Sequence, residues 1–340
     1  MTQSGGPVRI SLRATAHRPF ILGHPGIAPA ENRDGATVQG TVEVRTVTQP
    51  VKAKWVRVEV RKYETVKGGP TPPKGTPAYT HVGKVHLLWK AGEGKEYEVV
   101  PNRDFRFVIP LPLEDLPPSL DNKRATISYE LVASICYKQK GGLFRKSSPT
   151  QTTASEHLRI IRYDLMSAWP KYQASTQQVA QSQDGSVNLV VERPQQAFGP
   201  GDSVFLMTLL RSNSPQPFTF QALDVSLVEM FTSVPKEDTK STKKSKKPLG
   251  QPTTKTEVVT SKRFTINQTM RPGEEKAFKG SLVVPVPTAN EAMLTVRGAK
   301  TLGIEYKIVV QAICDNGNIV VEQPCDVCAF GKQAATQCVR

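Results

Sequence analysis

No stretch of this 340-residue chain approaches the roughly 20 apolar residues that a membrane-spanning helix requires, and its opening, MTQSGGPVRISLRATAHRPF, lacks the apolar core of a signal peptide. The expectation is a cytoplasmic protein. Cysteine is scarce and odd in number: Cys136, Cys314, Cys325, Cys328 and Cys338 are scattered, which speaks for buried free thiols and against a disulfide framework. Asn267-Gln268-Thr269 is a glycosylation sequon by spelling only, because nothing routes the chain to a secretory compartment.

The groups that chemistry needs are also missing. There is no nucleophile elbow and no Walker loop; AGEGKEY (91–97) has a Gly-Lys pair without the leading Gly and following Ser or Thr, so it reads as a polar hairpin turn. Cys325-Asp326-Val327-Cys328 has metal spacing, but no second CxxC or paired histidines accompany it. His81 and His86 in HVGKVH are five positions apart, an odd spacing that puts them on opposite faces of a strand and keeps them from sharing a metal. His17, His24 and His157 have no cysteine or carboxylate at a recognisable interval, and Glu114-Asp115 sits in a proline-rich turn. The expectation is a protein that is not an enzyme, with no cofactor and no metal.

Helical periodicity is almost absent, and alternation takes its place. VQGTVEVRTV (38–47), KWVRVEVRKY (54–63), FRFVIPL (105–111), ISYELVASIC (127–136) and HLRIIRY (157–163) repeat their apolar residues every second position, as strands with one face on a core do. VNLVVE (187–192), SVFLMTLL (203–210), ALDVSLVEMF (222–231), GSLVVPV (280–286), EYKIVVQAIC (305–314) and NIVVEQP (318–324) continue the pattern. Gly and Pro together number 51 of 340 and fall between these runs, as a hairpin-rich fold requires. The fold class is therefore all-β.

The two halves also repeat each other. Ile109-Pro110-Leu111-Pro112, a loop, and Tyr129-Glu130-Leu131-Val132 running to Cys136 match Val284-Pro285-Val286-Pro287, a loop, and Tyr306-Lys307-Ile308-Val309 running to Cys314. Val56 to Tyr63 resembles Leu223 to Phe231, and Gly35-Ala36-Thr37-Val38 and Gly201-Asp202-Ser203-Val204 open equivalent strands. The expected organisation is a β-sandwich over 1–165, a Gln/Ser-rich linker over 166–184 and a second β-sandwich over 185–340 with a basic loop at 235–256. Asp34-Gly35 and Asp184-Gly185 are turn signals ahead of each half.

Two tandem sandwiches, each with a G-x-x-V strand, a V-x-V-x-V strand ending in an aromatic, a paired-proline strand and a Y-x-[LI]-V strand, resemble the arrestin fold. FRFVIPLPLEDLPPSLDNKRATISYELVASICYK (105–138) and LGIEYKIVVQAICDNGNIVVEQPCDV (302–327) are similar to stretches of the fungal arrestin-related (α-arrestin) trafficking adaptors. The resemblance covers roughly 10–330 and rests on structural motifs. It implies tandem arrestin-like, immunoglobulin-like sandwiches and a trafficking adaptor at the plasma membrane or at endosomal or Golgi membranes. Its partners would be membrane-protein cargo and a ubiquitin ligase, recruited for endocytosis. The ligase-docking proline-proline-x-tyrosine motif is absent from this stretch: PPKG (72–75) and PPSL (117–120) lack the tyrosine, so ligase recruitment would fall to a tail outside it. The alternative is a scaffold subunit of a constitutive complex, like the retromer's or a Rab-exchange complex's. The buried opposed charges that couple the sandwiches of family arrestins find no matching motif here, and Arg159, Arg162 and Asp315 stay unassigned.

Charge supplies the binding candidate. Of the net +15, residues 1–165 carry +10 and residues 166–340 carry +5. In the second half it gathers in one insertion, where Lys236, Lys240, Lys243, Lys244, Lys246 and Lys247 surround KSTKKSKK (240–247). A flexible polybasic loop gains about 1 kcal/mol per lysine near an anionic leaflet. Single-strand nucleic-acid binders interleave stacking aromatics, and none lies between Val234 and Phe264, so anionic lipid is the expected partner over nucleic acid. Ser241, Thr242 and Ser245 sit among the lysines as candidate phosphorylation sites, each able to add about −1.5 to −2 charges.

Overall fold

The structure is a computed structural model that describes residues 6–15, 19–47, 49–69, 78–139, 148–163, 174–234, 251–287 and 293–331. Every regular element among them is a strand. The chain divides into two compact units, Met1–Arg162 and Tyr163–Arg340.

The first unit contains β1 (Val8–Arg13), β2 (Ile21–Leu22), β3 (Thr37–Thr46), β4 (Lys52–Val66), β5 (Thr80–Lys90), β6 (Glu98–Val99), β7 (Arg103–Pro110), β8 (Leu120–Asp121), β9 (Ala125–Gln139) and β10 (Ser148–Leu158). One sheet places β3 between β1 and β7, with β2 added; the other runs β10-β9-β4-β5, with β6 and β8 as short additions. Alternation does what it predicts. Val38, Val42 and Val44 of β3, Val56, Val58 and Val60 of β4, Phe105, Phe107 and Ile109 of β7, and Ile127, Tyr129, Leu131 and Ile135 of β9 are all buried. Each such side chain removed from water stabilises by about 1.5–3 kcal/mol. The Tyr129 hydroxyl donates to the Pro117 carbonyl at 2.5 Å, so this buried aromatic keeps its polar end satisfied.

The second unit contains β11 (Thr176–Gln181), β12 (Val187–Arg193), β13 (Ala197–Phe198), β14 (Ser203–Ser212), β15 (Phe218–Ser233), β16 (Thr253–Met270), β17 (Glu275–Val283), β18 (Leu302–Cys314) and β19 (Gly317–Val327). Its sheets run β11-β12-β14-β17 and β13-β19-β18-β15-β16. The sheets meet through side chains. Phe220 of one stands edge-on to Phe278 of the other at 4.9 Å, and Gln323 Nε2 donates to the Val191 carbonyl at 2.9 Å.

Strand order repeats between the units. The path β1-β3-β7 corresponds to β12-β14-β17, and β10-β9-β4-β5 to β19-β18-β15-β16, in the same chain order. The paired-proline and Y-x-[LI]-V segments fall on or after corresponding strands.

Some expected boundaries change. The stretch expected as a linker contains β11, whose TQQVAQ pairs with β12 from Thr176↔Arg193 to Gln181↔Asn188. An edge strand is held by its main chain on one side and needs little apolar alternation, which is why its glutamines concealed it. The turn after it is the expected one: Gly185 has φ +72°, and Asp184 Oδ1 accepts from the Ser182 hydroxyl at 2.6 Å and the Ser186 amide at 3.1 Å. HLRIIRY, expected as a strand, supplies only the end of β10, whose main body is the polar SPTQTTAS.

Fragments cut between Arg162 and Tyr163 are expected to show β-type circular dichroism without helix. A fragment starting at residue 185 lacks β11 and should be less stable to urea than 163–340, by on the order of 1 kcal/mol from the lost cross-strand pairs. Equal urea midpoints would show that β11 contributes nothing.

Candidate functional site

The polybasic insertion is mounted on a long hairpin. β15 and β16 pair from Phe218↔Met270 to Ser233↔Thr253, and the Thr232 and Thr254 hydroxyls lie 3.0 Å apart near the end of the ladder. Lys236, Lys240, Lys243, Lys244, Lys246 and Lys247, with Ser241, Thr242 and Ser245, lie outside the described residues. The loop is shorter than expected, because Thr253 to Thr256, assigned to it from the sequence, already belong to β16. TTKT alternates no apolar residues, yet it continues the ladder with β15 by main-chain pairing.

Among the described residues β16 is the edge of its sheet and pairs only with β15. Most of its side chains are exposed, and its Thr- and Val-rich sequence has high β propensity. Such an edge presents unpaired N–H and C=O groups to an added strand. Charges guard it. Arg263 grips Asp224 with two hydrogen bonds of 2.7 and 2.6 Å, which holds the Asp224 carboxyl below the usual carboxylate range. Lys262 Nζ stands 4.8 Å from the Phe264 ring, and Phe264 lies over Gly280, where a Cβ would come within 3.2 Å of the ring.

A second charged group, not anticipated from the sequence, lies on β4. Arg57, Glu59 and Arg61 occupy alternate positions and so share the face opposite the valine core. Arg61 holds Glu59 Oε1 through Nε at 2.7 Å and Nη2 at 2.5 Å, while Glu59 Oε2 faces Arg57 Nε at 3.8 Å and His81 Nδ1 at 3.7 Å. Glu59 is only 1% exposed although it stands on the outward face, because these neighbours cover it. Arg57 lies over the Trp55 ring at 4.3 Å and Arg61 over Tyr79 at 4.2 Å. The period-two spacing in KWVRVEVRKY was the available signal for the shared face. Nothing local signals that the face is covered. Lys62 and Glu64, on the inner side, form a buried pair at 2.6 Å.

The remaining candidates stay apart. His86 pairs opposite Val58 and His81 opposite Arg61, on opposite faces. Among the described residues no group of three or more His, Cys, Asp or Glu could hold a metal ion. Arg162 Nη1 donates to the Leu116 carbonyl at 3.3 Å. Cys136, Cys314, Cys325 and Cys328 are free thiols. Burial pushes the Cys325 thiol up to about 12, against the opposing pull of the Arg193 guanidinium, and pushes Cys314 up to about 11. Both are protonated at neutral pH and unsuited to nucleophilic attack. Comparison of the chain with protein-family models and with curated proteins gives no match.

Cys314 and Cys325 start from an ordinary value of 9.0, and both are raised by folding, so the stability they confer is complete below pH 9.0 and is lost as pH climbs through about 11 and about 12. The buried Tyr129 and Tyr306 hydroxyls, also raised by burial, act in the same direction. The urea midpoint should therefore fall with rising pH through this alkaline range, and both thiols should resist a disulfide reagent at neutral pH until the protein unfolds. Rapid native-state labelling of Cys325 at neutral pH would contradict its burial.

Proposed function

We propose that the chain is a non-enzymatic, arrestin-like trafficking adaptor. It binds anionic membrane through the lysine-rich insertion of the β15–β16 hairpin and holds a segment of membrane-protein cargo. The observation that carries this reading is the repeated strand order of the two units, combined with a polybasic insertion between corresponding strands β15 and β16. The strand order supports the arrestin-like resemblance. The lysines support an anionic surface as the partner, because a charge-dense loop without aromatics gains from a leaflet's field and asks for no base readout.

Cargo capture proceeds at an exposed strand edge. β16 offers main-chain donors and acceptors along 18 residues, which is the chemistry by which an extended peptide adds to a sheet. A ubiquitin ligase is the further partner of the same reading, engaged through a segment outside these residues.

Replacing Lys243, Lys244, Lys246 and Lys247 by alanine should leave stability within about 0.5 kcal/mol of the parent. Sedimentation with phosphatidylserine-containing vesicles should weaken at least tenfold, and the parent's own binding should fade with salt as the screening length contracts from about 10 Å at 0.1 M to about 3 Å at 1 M. Undiminished sedimentation of the alanine variant at low salt defeats the membrane reading, and a loss of affinity for single-stranded RNA alone favours nucleic acid instead.

Phosphorylation of Ser241, Thr242 and Ser245 would cancel most of the local positive charge. The triple aspartate variant is accordingly expected to release from the same vesicles; retention equal to the parent's rules out a phosphorylation switch.

A further inference from the structure

Two irregularities break β16 into short runs. Leu227 pairs with Thr260 and Val228 with Val258, which leaves Val259 as an extra residue; Phe220 pairs with Gln268 and Ala222 with Thr265, so Gln221 faces both Ile266 and Asn267. Asn267 takes up the second irregularity in the left-handed region, at φ +49°, which asparagine tolerates better than most residues. A β-bulge bends the strand that carries it and disrupts the ladder there. Bulges are one means by which edges escape open-ended pairing with other chains. The free edge of β16 among the described residues is therefore not one continuous template. It is divided into Thr253–Val258, Thr260–Thr265 and a remnant at Gln268–Met270.

The two longer runs differ in charge. Thr253–Val258 carries Glu257 as well as Lys255, whereas TSKRFT, from Thr260 to Thr265, carries Lys262 and Arg263 and no acid. Register sorts the side chains of TSKRFT. Thr260, Lys262 and Phe264 lie opposite the buried Leu227, Val225 and Leu223, so they share the sheet's inner face; Ser261, Arg263 and Thr265 take the outer face. Arg263 is already engaged by Asp224. Lys262 is exposed, with the Phe264 ring 4.8 Å from its Nζ and no carboxylate partner among the described residues. Phe264 is half-buried against Gly280, which fixes its place beside Lys262.

We propose that the Thr260–Thr265 run of β16 is a docking site for an extended acidic peptide, which adds antiparallel to it as a further strand. This rests on the reading that cargo is captured at the β16 edge, and it names the occupant. In an added strand the residue directly opposite Lys262 shares its face, with Cβ atoms about 4.5–5.5 Å apart, so a carboxylate there meets the unengaged ammonium. The residue opposite Phe264 falls on the same face and packs on the ring if it is apolar. Antiparallel pairing is the more stable geometry per residue. Because it reverses the order, the recognised sequence reads apolar, any residue, acidic from its N-terminal end. Main-chain bonds supply affinity, and the two positions on the shared face supply selectivity. A second copy of this chain is the poorer occupant. Two-fold antiparallel pairing centred on the run sets Lys262 opposite Lys262 or Arg263 opposite Arg263, and like charges directly opposite destabilise.

The test uses the full chain and a fluorescein-labelled peptide, Thr-Val-Thr-Glu-Thr-Thr, whose valine falls opposite Phe264 and whose glutamate falls opposite Lys262. Binding is followed by anisotropy, with the chain titrated to about 1 mM. Replacing the peptide's glutamate by lysine should weaken binding about tenfold, and K262E should reverse the preference between the two peptides. Lys262 is exposed, so K262E leaves folding intact. Methylating the peptide's main-chain nitrogens at alternate residues separates its two sets of N–H groups; one set should abolish binding and the other leave it, as a paired strand requires.

Hydrogen exchange should slow at amides within Thr260–Thr265 when the peptide is bound. Protection at Thr253–Val258 instead overturns the site and leaves edge capture standing, while binding that slows exchange nowhere on β16 overturns both. The proposal also fails if the parent binds neither peptide, if K262E keeps the parent's preference, or if both methylated sets bind. None of these outcomes touches the membrane reading of the lysine insertion, because no vesicle is present.

Discussion

The register of the central strand pairs is the constraint from which the rest of each unit follows. Val56 lies opposite Ile135, Val58 opposite Ala133 and Val60 opposite Leu131; in the second unit Val225 lies opposite Val310 and Leu227 opposite Ile308. A slip of one residue would turn Val56, Val58 and Val60 to the outer face and bring Arg57, Glu59 and Arg61 into the core. Losing three buried valines and desolvating three charges together costs far more than the net stability of a small domain. Register is thereby fixed without any disulfide or metal among the described residues. It also decides where the β15–β16 hairpin ends.

Polar groups inside the second unit reinforce the packing of its sheets. Arg193 of β12 has no exposed surface, yet its Nη2 donates to the Pro324 carbonyl of β19 at 2.8 Å, with the Phe198 ring 5.6 Å from its guanidinium carbon. Gln323 makes the reciprocal reach from β19 to the Val191 carbonyl of β12. These cross-sheet bonds have directions that apolar contacts lack, and truncating Arg193 would leave a carbonyl without its donor. In the first unit the same principle operates on a sheet's outer face, where Arg61 and its neighbours bury Glu59.

Core strands, the internal repeat and the Asp184-Gly185 turn were readable from the residues alone, because period-two alternation and turn chemistry act over a few neighbours. The position of the lysine insertion between two strands was readable for the same reason, although its end was placed inside β16. Edge strands were harder: β11, the body of β10 and the start of β16 are stabilised by main-chain pairing to the adjoining strand of a hairpin and carry little apolar pattern. Tertiary structure alone decided that β5 brings His81 to Glu59 and that Arg193 crosses from one sheet to the other. Each depends on residues far apart in the chain being brought together, and no local periodicity encodes which distant strand will lie alongside.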